Sequence, residues 1–216
     1  MRIRTVPGLL IGLTLVLALA APAAAQSALT TFGVKGGLTI STTSLDLPEV
    51  EQTFGITIDP DTRTGLVAGV FFGGPISGRL GWQSEFLVGQ KGLKFDDLGV
   101  EEEIQLTYIE IPALVQWSAA GAGRTAFHAS AGPSFGFRVS EVQKEAGEEL
   151  DFEDQTKTFD FGIAFGGGVS FDKLVIDARF TLGLTNIINE TGKADLGPNA
   201  DAKNRSFALT VGWRFR

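Results

Sequence analysis

The chain has 216 residues, no cysteine and a formal net charge of −7 at pH 7, and it contains 28 glycines and 17 phenylalanines. The lack of cysteine excludes a disulfide framework and thiolate metal sites, and the acidic balance argues against nucleic acid as a partner. The many glycine, phenylalanine, threonine and valine residues favour an all-β fold.

The N-terminal segment has the features of a secretory signal peptide. Arg2 and Arg4 precede an apolar run over residues 9–20, and Ala23 and Ala25 form a small-x-small cleavage site. This run of about a dozen residues is shorter than the roughly 20 that a membrane-spanning helix needs. The sequence therefore predicts Sec-type export rather than a helical membrane anchor.

Cleavage would leave one domain. We predict a signal peptide at residues 1–25 and a single domain at 26–216, which is long enough to form one compact unit. Loss of Arg2 and Arg4 changes the net charge from −7 to −9. The mature chain is thus more acidic than the precursor.

Strict alternation of apolar and polar residues recurs along this domain, and no helical period of similar strength is present. The alternation predicts eight strands, at about 30–41, 64–73, 80–92, 104–117, 126–139, 157–171, 174–185 and 205–215.

The connections between these strands are alternately long and short. The short connections lie at 73–79, 118–125 and 171–173, and the long polar ones lie near 42–63, 93–103, 140–156 and 186–204. In an up-and-down meander this order gathers all the long loops at one end. Transmembrane barrels show the same asymmetry, with short periplasmic turns and longer outer loops.

The two faces of the predicted strands differ in the size of their side chains. Asp177 and Arg179, for example, share one face of their strand, while Phe180 and Leu182 share the other. Over the whole chain one face carries roughly 35 large apolar side chains, whereas the opposite face is rich in glycine. An eight-stranded barrel has an interior only wide enough for small side chains and a few long ones. The apolar face must therefore point outward, into lipid.

The glycine-rich face also carries charges, which we predict to form an ion network inside the lumen. These residues are Lys35, Glu85, Glu110, Arg138, Asp160, Asp177, Arg179 and Arg214. Buried charges are costly unless they are paired, so four of each sign favour a plugged lumen. A small porin or transporter is the alternative, although a selective pore would more often show an excess of one sign.

Six segments of the chain are informative in combination. They are "GVKGG" (33–37), "GLVAGVFFGGPISGRLGWQSEFLVGQKGLKF" (65–95), "TYIEIPALVQW" (107–117), "AGPSFGF" (131–137), "FDFGIAFGGGVSF" (159–171) and "DARFTLGLTNI" (177–187). Together they resemble the PorT-like outer-membrane β-barrel family, a group of outer membrane protein beta-barrel domains. The resemblance implies an all-β, eight-stranded antiparallel up-and-down transmembrane barrel in the outer membrane of a Gram-negative bacterium. It implies no catalytic residue and no cofactor.

One pair of residues raises the alternative of an enzyme. The only histidine, His128, lies two residues before Ser130 on the same strand face. Eight-stranded lipid A deacylases use such a pair with a carboxylate, because the imidazole must take the serine proton. Both residues follow a short turn, however, and should lie far from outer-leaflet lipid A. A lipid A esterase is therefore the less favoured hypothesis, and we predict a non-enzymatic protein.

The long loops are acidic. Their carboxylates are Asp46, Glu49, Glu51, Asp59, Asp61, Asp96, Asp97, Glu101, Glu102, Glu103, Glu141, Glu145, Glu148, Glu149, Asp151, Glu153 and Asp154. We interpret them as a solvated extracellular surface, with bound divalent cations as the alternative. The expected partners are outer-membrane lipid and lipopolysaccharide, the outer-membrane assembly machinery and an extracellular partner at the acidic loops.

Overall fold

The computed structural model describes residues 31–55, 60–97, 100–145, 148–150 and 155–215. The predicted signal peptide lies outside these residues. In chain order the elements are β1 (Thr31–Asp46), α1 (Pro48–Phe54), β2 (Asp61–Ser77), β3 (Leu80–Asp97), β4 (Val100–Ala120), β5 (Thr125–Glu145), β6 (Glu148–Leu150), β7 (Phe159–Phe171), β8 (Leu174–Gly183), α2 (Glu190–Leu196) and β9 (Asp201–Arg214). Neither helix of the described ranges has the length and apolar character needed to cross a membrane.

Eight of the strands form a closed antiparallel barrel. They are hydrogen-bonded in the order β4-β3-β2-β1-β9-β8-β7-β5, and pairing of β4 with β5 closes the ring. Strand β6 adds only a short hairpin to the end of β5. The predicted all-β, eight-stranded antiparallel barrel is confirmed.

The large apolar side chains lie on the outside of the barrel. Ile163 and Phe165 on β7 are 45% and 49% exposed, whereas the inward Phe71 and Glu85 are 2% and 0% exposed. Exposed aromatic side chains also ring the short-turn end, namely Trp117, Phe127, Phe171, Trp213 and Phe215. An apolar surface of this extent is stable only against lipid, and aromatic rings are typical of the membrane interface.

Six of the eight barrel strands extend further at the long-loop end than the alternation predicts, whereas β7 and β8 are each two residues shorter there. β3 continues to Asp97 and β4 begins at Val100, so most of the segment 93–103 is a paired hairpin rather than a loop. β5 likewise continues to Glu145, where it pairs with β6. Beyond the lipid both faces of a hairpin meet water. The alternation of polarity therefore fades there, although the backbone remains paired.

The connection between β8 and β9 packs against the outer end of the barrel. It contributes to an apolar cluster, here called the outer plug, of Leu47, Leu106, Tyr108, Ile187, Ile188, Ala200 and Ala202. The side chain of Asn189 caps α2 by accepting a hydrogen bond from the Gly192 N–H at 2.9 Å. Asn186 Nδ2 donates to the carbonyl of Ala200 at 2.9 Å. These bonds hold the connection folded into the mouth.

Candidate functional site

Four of the predicted lumen charges meet inside the barrel, and we call them the central cluster. Lys35 Nζ on β1 donates to Glu85 Oε1 at 3.0 Å and to Asp177 Oδ2 at 2.8 Å. Arg179 on β8 donates from Nη2 and Nη1 to the two oxygens of Glu85, at 2.6 and 2.7 Å. The side chains of Lys35 and Glu85 are 1% and 0% exposed. Two cations and two anions thus connect β1, β3 and β8 across the lumen.

Glycines on β7 give these side chains their space. Gly166 lies opposite Arg179, and Gly168 lies opposite Asp177, in the pairing of β7 with β8. A Cβ atom at Gly168 would lie 2.8 Å from Asp177 Oδ1 and 2.8 Å from His128 Cε1. It would also overlap the backbone carbonyl oxygen of Ile176, so only glycine allows both the close approach of the strands and the side chains beside it.

His128 extends the central cluster to β5. Its Nε2 forms a hydrogen-bonded pair with Asp177 Oδ1, and its side chain is 7% exposed. Within the described ranges no hydrogen bond joins Ser130 to this imidazole. The histidine therefore contacts a carboxylate, but the serine contact that an esterase would need is not formed.

A second polar group lies nearer the outer end. Lys91 and Glu110 form an ion pair. Asp160 accepts a hydrogen bond from Asn204 Nδ2 at 2.9 Å, and the same amide donates to the Tyr108 hydroxyl at 3.3 Å. Lys91 Nζ also lies 5.3 Å from the centre of the Tyr108 ring. Glu110 and Asp160 are thus held by partners outside the predicted set.

Sequence reasoning missed Lys91, although a signal for it existed. Lys91 lies an even number of residues after Glu85 on β3, so both side chains point into the lumen. Asn204 lies one residue before the predicted strand at 205–215, whereas the strand in the structure begins at Asp201 and includes it.

Arg138 belongs to a third group, and a bulge determines its partner. It forms an ion pair with Glu141 at 3.2 Å. Thr107 pairs with Ser140, while the next residue, Tyr108, pairs with Arg138, so β5 carries one extra residue at this point. A bulge reverses the facing of the residues that follow it. Glu141, which we predicted to lie in a solvated acidic loop after the strand, therefore has a side chain only 4% exposed.

Arg214 does not join the central cluster. It lies at the short-turn end of the lumen and lines a cavity of about 320 Å³. The eight predicted residues are thus distributed along the barrel rather than forming one network.

Some acidic residues of the outer end are also paired with protein groups. Arg63 forms an ion pair with Glu103, and Asn199 donates to Glu49 Oε1 at 2.6 Å. Asp59, Asp151, Glu153 and Asp154 lie outside the described residues. In the ranges that the structure describes, no three His, Cys, Asp or Glu side chains form a group that could hold a metal ion.

Comparison with known proteins supports an outer-membrane barrel. Residues 24–189 match the family described as outer membrane protein beta-barrel domain. No curated protein matches the chain.

Solved outer-membrane proteins that match the chain share little sequence with it. The outer membrane protein OprG from Pseudomonas aeruginosa is 12% identical with a TM-score of 0.52, and the match covers 86% of this chain and 96% of OprG. Neisserial surface protein A is 12% identical with a TM-score of 0.49, covering 85% and 97%. The attachment invasion locus protein Ail of Yersinia pestis is 16% identical with a TM-score of 0.43, covering 86% and 98%. The likeness to OprG shows the fold alone.

The family match covers most of the chain and agrees with the closed barrel and its apolar outer face. The chain therefore belongs to the outer membrane protein beta-barrel domain family, and it lies in the lipid of the outer membrane of a Gram-negative bacterium.

Proposed function

We propose that this protein is a non-enzymatic barrel with a plugged lumen and a structural or surface-interaction role. The observation that carries the proposal is the central cluster, in which Lys35 and Arg179 are matched by Glu85 and Asp177. Because each charge is held by a buried partner, none is left to attract and pass ions of one sign.

The layers on either side of the central cluster support the same proposal. Between it and the second polar group, the free space lined by Lys35, Glu110 and Arg179 is only about 20 Å³. That volume holds roughly one water molecule. Further out, the apolar side chains of the outer plug surround a space of about 70 Å³. A small porin or transporter would need a continuous wet path through these layers.

The outer end supplies the surface for the interaction role. Asp46 ends β1 and Asp61 begins β2, and both are exposed, while the Glu190 side chain is 91% exposed. We propose that these carboxylates and the acidic loops face lipopolysaccharide or an extracellular partner. The proposal also includes export by the signal peptide, which leaves a mature domain at 26–216. The outer-membrane assembly machinery then inserts this domain, which we place in the PorT-like group. It assigns no cofactor.

Conductance in planar lipid bilayers tests the proposal. Purified wild-type protein, shown to be folded by its mobility on unheated gels, should give no steady conductance. Detergent without protein provides the baseline. Reproducible unit steps from the wild type, with an ion selectivity that changes in Arg179→Ala at unchanged stability, would establish the porin alternative instead.

A further inference from the structure

The cavity of about 320 Å³ at the periplasmic, short-turn end of the lumen has no part in the proposed function. The ends of β1, β2, β3, β4 and β9 form its wall. Gly73, Gly74 and Gly81 contribute backbone without side chains, whereas Phe71 and Glu85, one layer deeper, fill the lumen. The volume falls within the range of small-molecule binding sites.

The floor of this cavity is polar, and the carboxylate of Glu85 beneath it is neutralised by cationic partners. Gln83 Nε2 donates to Glu85 Oε1 at 2.7 Å, and Gln116 Nε2 donates to Gln83 Oε1 at 3.4 Å. Glu85 is in turn paired with Lys35 and Arg179. The two glutamine amides therefore separate the cavity from the negative charge of the central cluster.

The charged residues that line the cavity are both cationic. Arg79 lies at the turn between β2 and β3, Arg214 lies at the end of β9, and the lining includes no carboxylate. Arg214 Nε is buried and has no hydrogen-bond acceptor in the described part of the chain. This excess of positive charge runs against the acidic balance of the whole sequence, whose net charge is −7. A guanidinium group matches the geometry of carboxylate and phosphate oxygens, which accept two parallel hydrogen bonds.

We propose that this cavity binds the carboxylate or phosphate group of a small periplasmic molecule or of an inner-leaflet lipid. Arg214 is the main ligand, Arg79 adds charge at the rim, and the amides of Gln83 and Gln116 offer further hydrogen bonds. The site does not require a sealed lumen, because an anion can bind in this mouth whether or not the barrel conducts. Binding and conductance are therefore separate measurements, and one can fail without the other.

Isothermal titration calorimetry in a non-ionic detergent tests the site with citrate and pyrophosphate as probes and sucrose as the neutral control. We expect saturable one-to-one binding of the anions and no binding of sucrose. Arg214→Gln should weaken anion binding about tenfold or more, since it removes a charge-assisted hydrogen bond. Arg79→Gln should weaken it by a smaller factor. Arg124→Gln is the matched control, because this arginine lies on the neighbouring short turn with a side chain 83% exposed and does not line the cavity.

A second experiment distinguishes a free anionic molecule from an anionic lipid as the ligand. Native mass spectrometry after extraction in mixed micelles of phosphatidylglycerol and phosphatidylcholine counts the lipids that stay bound. Retention of phosphatidylglycerol that is lost in Arg214→Gln assigns the site to a lipid, whereas citrate binding without such retention assigns it to a free molecule.

Three results would overturn the proposal. They are equal binding by wild type and Arg214→Gln, equal binding of sucrose, and the absence of both anion binding and lipid retention. Unheated gel mobility checks the folding of each variant. If Arg214→Gln does not fold, Arg214→Lys replaces it and should bind with intermediate affinity, since it keeps the charge and loses the forked geometry.

Discussion

Glu85 shows how a full charge is stabilised inside the barrel. Its carboxylate is fully buried and accepts hydrogen bonds from Lys35, from both terminal nitrogens of Arg179 and from Gln83. Several kcal/mol would be lost by burying such an ion alone, so its two cationic partners and the amide are what make the position tolerable. The charge of each residue in the cluster thus depends on the presence of the others.

Removal of Arg179 should therefore destabilise the barrel. Arg179→Ala leaves Glu85 with Lys35 and Gln83 only, and we expect a loss of about 3 kcal/mol in the free energy of unfolding, the lower end of the range for a broken buried pair. Urea unfolding followed by tryptophan fluorescence measures it. Arg124→Ala is the control, because its ion pair with Asp172 is exposed and should contribute little. Equal unfolding midpoints for wild type and Arg179→Ala would show that the cluster contributes no stability.

The pair of His128 and Ser130 gives a second prediction at the residue scale. Asp177 already binds the imidazole and also accepts from Lys35, so we assign His128 to the structure of the lumen. His128→Ala and Ser130→Ala should each leave the acylation of cellular lipid A unchanged, as measured by mass spectrometry. Loss of a deacylated species in either variant would contradict this assignment and favour the esterase, because that chemistry requires both the nucleophile and its base.

In each strand, successive side chains point alternately into the lumen and toward lipid. On β7, Asp160 and Gly162 are buried toward the lumen, while Ile163 and Phe165 are exposed toward lipid. This alternation keeps the same phase until a bulge shifts it by one residue, as happens in β5 before Glu141. A single substitution on the outer face therefore tests the orientation of a whole strand.

Ile163→Arg supplies that test. Ile163 lies in the middle of β7 with its side chain outward, so a charge there should destabilise the barrel and lower its free energy of unfolding by roughly 2–4 kcal/mol. The matched control is Ile76→Arg, since Ile76 is also exposed but lies one residue before the end of β2 at the short-turn end. Near the interface the same charge should cost about 0–1 kcal/mol. Folding yield into lipid vesicles over a range of urea concentrations measures both, and similar losses in the two variants would contradict the outward facing of β7.

The molecule as a whole differs at its two ends. An apolar cluster lies at the outer end, paired charged groups lie in the middle, and a cavity lies at the periplasmic mouth. The outside is apolar along the length of the barrel between these ends. Such a molecule gains its stability from lipid on the outside and from paired polar groups on the inside, the reverse of a water-soluble barrel.

The whole barrel should consequently need detergent to stay in solution after extraction. It should also migrate differently on gels before and after heating, because the closed sheet stays folded in detergent until heated. Sedimentation after dilution of the detergent and paired gel lanes are the measurements. Recovery of the protein as a soluble periplasmic monomer would contradict the lipid-facing surface.

The sequence alone determined the class of fold and the facing of the strands. Alternation with a period of two is a local property of the chain, and it marked both Lys35 and Arg179 as belonging to the glycine-rich face. The opposite face carries so many large apolar side chains that they could not fit inside an eight-stranded barrel. That face must therefore be the one that meets lipid. The outer ends of most strands, β3, β4 and β5 among them, lie beyond the predicted bounds, because beyond the lipid the pairing continues without the alternation.

Only the tertiary structure decided which residues meet. Lys35 and Asp177 are 142 residues apart, and Glu85 and Arg179 are 94 apart, and their contacts depend on the stagger of the strands around the closed ring. The inward turn of Glu141 depends on a bulge, and the outer plug depends on a connection that folds back into the mouth. The cavity beside Arg214 depends on small residues from several strands at one level of the barrel. Stagger, bulges and the course of loops arise from contacts between distant segments, and for this reason a local periodicity contains no signal for them.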